Sequence, residues 1–273
     1  MSIPKIIHYC WFGGNPLPEL AKKCITSWKK FCPDYEIKEW NESNFSIDCC
    51  AYVREAYDAK MWAYVSDYAR FKILYENGGL YFDTDVELIK PIADIVAAGS
   101  FFGLEEADNT TNIEQGLGMA ANPGLGMAAN AGLDLYKEIL ADYEDSHFGP
   151  EKNGSYKTVV MRVTDILKEH GYEPERKVSK FNDITIYPPE YFCPLNYFTG
   201  EMRITENTRS IHHYTATWMK PEDKLRAEIR RRFFGKGRVL SLIGTLMIFP
   251  LRVIGRIRKS GFIGAFEYML QRK

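Results

Sequence analysis

Apolar residues near the start of the chain come in short runs separated by turn residues. Ile3 to Phe12 gathers Ile6, Ile7, Tyr9, Trp11 and Phe12 and ends at Gly13-Gly14-Asn15-Pro16, which predicts a buried strand. Residues 17–32 space Leu20, Cys24, Ile25 and Trp28 three or four apart, the period of a helix with one apolar face. Pro33-Asp34 breaks that helix, and Tyr35 to Trp40 alternates as a second strand. Strand, helix, strand in this order predicts an α/β fold.

Ala51 to Asn77 is the strongest helical region, with an expected interruption near Lys60. Val65, Tyr68, Ala69, Phe71, Ile73 and Leu74 give it a broad apolar face, and Gly78-Gly79 supplies a glycine stop. From Leu80 to Leu88 the pattern changes to period two. Leu80, Phe82, Thr84, Val86 and Leu88 are expected on one face of a strand, and Tyr81, Asp83, Asp85 and Glu87 on the other. The middle of the chain holds a tandem duplication, Gly116-Leu-Gly-Met-Ala-Ala-Asn-Pro123 followed by Gly124-Leu-Gly-Met-Ala-Ala-Asn-Ala131. Two copies are too few for a solenoid and predict a local insertion in a glycine-rich loop or strand. Leu133 to Tyr143 and Thr158 to His170 fit helices, and Ile184 to Tyr187 is a strand running into Pro188-Pro189.

After Trp218 the character shifts. Arg226 to Lys236 is strongly basic, and Val239 to Leu251 is mostly apolar but interrupted by Ser241, Gly244, Thr245 and Pro250. A bilayer span takes about twenty apolar residues, so this stretch is too short to cross. Flanked by basic residues, it fits an amphipathic segment in a membrane interface, with a helix closing the soluble core as the alternative. The overall net charge of -1 conceals this tail, because residues 220–273 carry fourteen Lys and Arg against four Asp and Glu. An acidic body with a basic tail argues against a nucleic-acid binder. The expected division is therefore a catalytic domain over 1–220 and a basic tail over 221–273. Five of the six cysteines precede residue 51, no two of the six have C-x-x-C spacing, and the N-terminus shows no secretory pattern. Reduced, packed cysteines and a cytoplasmic location are expected.

Asp83-Thr84-Asp85 carries the chemistry. Two carboxylates on one face of a strand repel, and a divalent cation held by their hard oxygens relieves that repulsion. Such a cation keeps open positions for a diphosphate and stabilises the charge that develops as a nucleoside diphosphate leaves. Asp67 and Arg70, three apart on the preceding helix, lead into the same strand. An isolated pair at that spacing reads as a surface ion pair. Here it sits on the element joined directly to the two aspartates.

Ser66 to Leu88 closely resembles the D-x-D sugar-binding region of family 32 glycosyltransferases, which include bacterial capsular-polysaccharide enzymes. A similar pattern occurs in the glucosylating clostridial toxins. Ile3 to Gly13 resembles that family's opening strand, Trp28 to Trp40 its next helix and strand, and Ser210-Ile-His-His-Tyr-Thr-Ala-Thr-Trp218 its closing motif. The resemblance covers about residues 3–220. It implies a GT-A-type fold, a Rossmann-like mixed sheet flanked by helices, here followed by a basic helical tail. It further implies transfer with retention from a nucleotide sugar, UDP-linked by preference, to an oligosaccharide or lipid-linked acceptor in surface polysaccharide synthesis.

By position in that pattern, Trp11 would stack on the donor base. Asp67 and Arg70 would hold the donor sugar and its diphosphate end, and Tyr81 and Asp83 would contact ribose or sugar. Asp85 would bind the metal with help from Asp83, and Trp218 would pack over the diphosphate. His213 is the expected further metal ligand and His212 the second choice, since alternation on a strand turns only one of them to the site. An imidazole ligand favours Mn²⁺ over Mg²⁺. A cytoplasmic enzyme seated at the inner face of the cell membrane is expected.

Three rival readings remain. Leu80 to Val86 also fits the hydrophobic-DxDx(T/V) signature of haloacid-dehalogenase-type phosphatases, in which the first aspartate is a nucleophile. No buried strand of the usual length precedes it, and no later Asp-Asp pair completes the site. Gly116 to Ala121 satisfies G-x-G-x-x-A of dinucleotide-binding oxidoreductases, but the polar run before it is no strand. A membrane-associated scaffold acting through its tail is the non-enzymatic alternative.

Overall fold

The computed structural model describes residues 2–106, 119–151, 156–197, 200–215, 221–233, 237, 239–251 and 253–254. These form two units, residues 1–195 with 202–215, and residues 196–201 with 216–273.

The larger unit opens with β1 (Ile6–Cys10), α1 (Glu19–Phe31) and β2 (Glu36–Trp40). Two helices follow, α2 (Ala51–Asp58) and α3 (Trp62–Asn77), and the expected break falls between them, where Lys60 has a φ of 58°. Next come β3 (Gly79–Tyr81), β4 (Val86–Leu88), α4 (Ala93–Ala97), β5 (Phe101–Glu106), β6 (Met119–Ala121) and β7 (Met127–Ala129). Helices α5 (Asp134–Glu144) and α6 (Val159–Glu169) precede β8 (Ser179–Phe181), β9 (Ile184–Tyr187), the short α7 (Pro189–Phe192) and β10 (Ser210–His212).

The main sheet runs β2-β1-β3-β7-β5-β9-β8, with β6 also paired to β5. Strand β1 is parallel to β2 and β3, whereas β7 is antiparallel to both β3 and β5. Apolar clusters cover both faces. One gathers Val53, Val65, Phe71, Tyr136 and Val163 from α2, α3, α5 and α6. The other gathers Trp28, Ile95 and Phe192 from α1, α4 and α7. This is the expected mixed α/β sheet flanked by helices. The cysteines are unpaired as expected: Cys10, Cys24, Cys32 and Cys193 are buried, Cys50 is half-buried and Cys49 exposed.

Helix α3 is buried almost all round, which explains why its apolar face looked so broad in sequence. It ends at Gly78, whose φ of 65° only glycine adopts easily, and the Gly78 carbonyl accepts a hydrogen bond from His8 Nε2 at 3.0 Å. The following segment departs from expectation. Leu80 to Leu88 is not one strand: β3 belongs to the main sheet, and β4 pairs, among the described residues, with β10 in a separate two-stranded sheet. Between them the chain turns, with Val86 N–H donating to the Asp83 carbonyl at 3.0 Å. Period-two alternation persists because Leu80, Phe82, Val86 and Leu88 all bury into one core on either side of the turn. Trp28 fixes β4 there, its Nε1 donating to the Val86 carbonyl at 2.8 Å.

Of the two settings expected for the duplication, loop or strand, the described residues show the strand. Each copy contributes its Met-Ala-Ala to a strand, and both strands pair antiparallel along β5, β6 at Leu104–Glu106 and β7 at Phe101–Phe102. Residues 122–126 bulge between them.

Candidate active site

The site lies just past the carboxyl ends of the parallel strands β1 and β3, where ligands of open α/β sheets bind. Trp11 directly follows β1, half-buried, with its Nε1 donating to the Asn15 carbonyl at 2.6 Å. Asp83 and Asp85 follow β3 on the turn that joins the two sheets.

Each aspartate has its own cation in this structure. Arg70 Nη2 lies 3.1 Å from Asp83 Oδ1 and 2.9 Å from Asp67 Oδ1, and its Nε donates to the Ser66 carbonyl at 3.1 Å. The guanidinium also sits 5.0 Å from the centre of the Tyr81 ring, and Tyr81 OH donates to Asp83 Oδ1 at 3.2 Å. Burial disfavours charge on Arg70, but Asp83, Tyr81 and Asp67 outweigh it and hold the guanidinium charged. Burial pushes the Asp67 carboxyl up to about 7, against the pull of Arg70. Side chains of Arg70 and Asp67 are only 4% and 10% exposed, so both stand behind Asp83 rather than on an open wall.

Asp85 is paired with His212, whose Nε2 lies 3.2 Å from Oδ1, while Oδ2 accepts from Thr215 N and Oγ1 at 2.9 and 2.8 Å. Burial alone would raise the Asp85 carboxyl, but the His212 charge and these hydrogen bonds hold it well below the usual carboxylate range. Burial correspondingly opposes charge on His212, and Asp85 overrides it to hold the imidazole protonated.

The expectation for His213 is corrected here. Its Nε2 faces Glu87 Oε2 at 2.9 Å, and His212 is the histidine whose ligand atom lies with those of Asp83 and Asp85, all within 4.8 Å of one another. Register decides this: β10 pairs antiparallel with β4, His212 opposite Val86, so alternation turns His213 away. Trp218 lies outside the described residues.

Several neighbours were not singled out by sequence. Gly124 accepts from Asp83 N at 3.0 Å, and a Cβ at Gly124 would collide with the Asp83 carboxylate. Asn122 Oδ1 accepts from Gly124 N at 2.9 Å, and Asn122 Nδ2 donates to Glu105 Oε2 at 2.7 Å. That same oxygen accepts from Tyr214 OH at 2.9 Å, and burial raises the Glu105 carboxyl. The Tyr214 ring stacks obliquely on His212, centroids 4.1 Å apart. The second copy of the repeat therefore builds the floor beneath Asp83. Its glycine was visible in sequence, but its partner was not. The dinucleotide fingerprint fails in this setting, since Met119–Ala121 is a sheet strand rather than the start of a helix.

Two carboxylates and an imidazole form a donor set of hard oxygens and one nitrogen, which suits a divalent cation of the Mn²⁺ or Mg²⁺ kind. The His212 imidazolium now faces Asp85 where such a cation would supply the positive charge.

Residues 18–102 match the family described as "Glycosyltransferase sugar-binding region containing DXD motif". An uncharacterized glycosyltransferase of Acanthamoeba polyphaga mimivirus is 26% identical over 210 residues, 73% of this chain and 76% of that protein. Among solved structures, the PaToxG glycosyltransferase superimposes with a TM-score of 0.46 at 19% identity, over 62% of this chain and 70% of that one. A glycosyltransferase involved in glycosylation of the major capsid of PBCV-1 gives a TM-score of 0.42 at 13% identity, over 83% of this chain and 100% of that one.

The sequence match and the DXD turn at the strand ends define a glycosyltransferase. Within that class, the match falls on the sugar-binding region that contains the DXD motif, which here spans α1 to the start of β5. The phosphatase, oxidoreductase and scaffold readings are set aside.

Proposed function

We propose that the protein transfers a hexose or N-acetylhexosamine from a UDP-sugar, with retention of anomeric configuration, in the synthesis of a bacterial surface or capsular polysaccharide. The observation that carries the donor-site reading is the convergence of Asp83, Asp85 and His212 on one point, with Arg70 holding Asp83 from behind. Asp85, Asp83 and His212 would hold a divalent cation, Mn²⁺ by preference for the imidazole. Bound there, it would offset the charge developing on the leaving diphosphate.

The chain's own residues do the positioning. Trp11 offers an aromatic face for the base at the end of β1. Tyr81 and Arg70 fix the rotamer of Asp83, and Thr215 fixes that of Asp85, so both carboxylates are oriented before a donor arrives. Asp67 and Arg70 act on the donor through Asp83, given their burial. Trp218 remains the proposed cover for the diphosphate. In the reaction, the bond from the anomeric carbon to the diphosphate oxygen breaks and a bond to the acceptor oxygen forms on the same face. The acceptor's hydroxyl proton passes to the leaving phosphate. A covalent glycosyl-enzyme, if trapped, would overturn this step. A lipid-linked acceptor would place the enzyme, cytoplasmic in this reading, at the inner face of the membrane.

A thermal-shift screen against UDP- and GDP-sugars, with and without Mn²⁺, tests the donor. A ligand at about a hundred times its Kd stabilises by roughly 2.7 kcal/mol. For a domain of this size that is several degrees, at about 2–4 °C per kcal/mol. A shift that needs both a UDP-sugar and metal, and is absent in Asp85→Asn, is the expected result. A shift with GDP-sugars alone would replace the donor, and metal-independent binding would remove the cation from the reading.

A further inference from the structure

The smaller unit shows an apolar surface that a domain in water normally buries. Helix α8 (Pro221–Phe233) is followed by a second helix over residues 239–251. Arg226, midway along α8, donates through Nη2 to the carbonyl of Leu251, at the end of the second helix, at 2.6 Å, so the two helices are in contact. Ile229 and Ile248 are buried.

On the second helix Val239, Leu242, Ile243, Leu246, Met247 and Phe249 point outward, with Val239, Leu242 and Leu246 73%, 62% and 65% exposed. Their spacing puts them on one broad side, opposite buried Gly244 and Ile248. Nine of the thirteen large apolar side chains that stand exposed among the described residues fall between residues 225 and 254. Scattered exposed leucines need no explanation, but a contiguous side of this kind marks an interaction surface. The polar groups on the helix do little to wet it, since Thr245 Oγ1 donates to its own helix at the Ser241 carbonyl, 2.9 Å away.

Charge selects the occupant. Residues 220–273 hold fourteen Lys and Arg against four Asp and Glu. A basic segment around an apolar helix side complements a surface that is anionic outside and hydrocarbon beneath. Thirteen helical residues reach only about 20 Å against a hydrocarbon core of about 30 Å, and no described helix is long and apolar enough to cross a membrane. We propose that residues 221–254 dock the protein on an anionic bilayer, the second helix lying in the plane of the interface with Leu242, Ile243, Leu246 and Met247 seated among the acyl chains. This surface deepens the membrane placement suggested above and depends on no feature of the donor site.

The test is co-sedimentation of the full chain with vesicles of phosphatidylcholine alone or with added phosphatidylglycerol. Strong binding to the anionic vesicles, weakened by salt, is expected. Leu242→Gln/Leu246→Gln leaves the charge unchanged and should weaken partitioning about tenfold or more, the effect of losing at least one buried leucine side chain. A Leu246→Trp variant reports insertion directly, and its added fluorescence should be quenched by lipids brominated in their acyl chains. Undiminished binding of the double variant, or no quenching at Trp, overturns insertion. Absence of vesicle binding together with a concentration-dependent dimer that the double variant abolishes would assign the face to a second copy. Donor-induced thermal shifts in the same preparations read the transferase site separately.

Discussion

Arg70 grips Asp83 from its buried side, Nη2 lying 3.1 Å from Oδ1, while the same nitrogen lies 2.9 Å from Asp67. One guanidinium is thus shared between two carboxylates. Removing one partner of a buried pair strands the others, at a cost of about 3–5 kcal/mol. Arg70→Met should therefore lower the free energy of unfolding in urea by about that amount. Arg70→Lys should recover only part of it, because a single ammonium cannot reproduce the fork. A variant as stable as the parent would show that the cluster contributes nothing to the fold.

Gly124 has no room for a side chain. Gly124→Ala drives a methyl into the Asp83 carboxylate, and relief requires the turn to move. We expect a loss of about 1–3 kcal/mol in stability, as for other overpacked sites, and a larger fractional loss of transfer than of stability. Gly149→Ala, where a Cβ meets nothing within 4 Å, is the matched control and should behave as the parent. Equal transfer rates in the two variants would dissociate Gly124 from the site.

The two adjacent histidines should separate cleanly. His212→Ala should weaken Mn²⁺ binding, read by calorimetry, by more than the roughly 10–100-fold typical of losing an outer partner of a metal ligand. His213→Ala, which loses only its contact with Glu87, should bind as before. Because Asp85 holds His212 protonated, a cation must displace that proton, and affinity should climb with pH. The reverse ranking of the two variants would return His213 to the site.

His8 supplies a pH signature remote from the DXD turn. Burial lowers its imidazole to about 4, with Nδ1 accepting from Trp40 Nε1 at 3.0 Å and Nε2 facing the Gly78 carbonyl. The unfolded chain takes up this proton near pH 6.5, the folded chain only near 4, so stability is unaffected above 6.5 and falls as pH drops between the two. The full loss is about 3 kcal/mol, from about 2.5 pH units at 1.36 kcal/mol each. Urea midpoints from pH 7 to 4.5 should decline more steeply in the parent than in His8→Gln. Parallel declines would falsify the assignment.

Much of the framework was legible because burial was one-sided or complete. The break at Lys60 and the helices around residues 134–144 and 159–169 follow directly from apolar spacing. The turn at Asp83 was hidden because alternation does not register a change of sheet when both flanks bury into the same core. The choice between His212 and His213 rested on the register of β10 against β4, which is a long-range fact. Glu105, Asn122 and Tyr214 meet only because β6 returns along β5, and no local pattern announces such a meeting.

Eight is an even number, and that has a consequence for the repeat. A strand shifted by one whole copy keeps every inward residue inward, so β6 and β7 share one phase along β5 even though residues 122–126 bulge between them. Sequence-equivalent residues nevertheless came to different fates: Met127 is sealed between β3 and β5, while Met119 stays half-buried farther along the same edge. Identity of sequence thus supplied two interchangeable strands, and the neighbour of Asp83 made one of them irreplaceable.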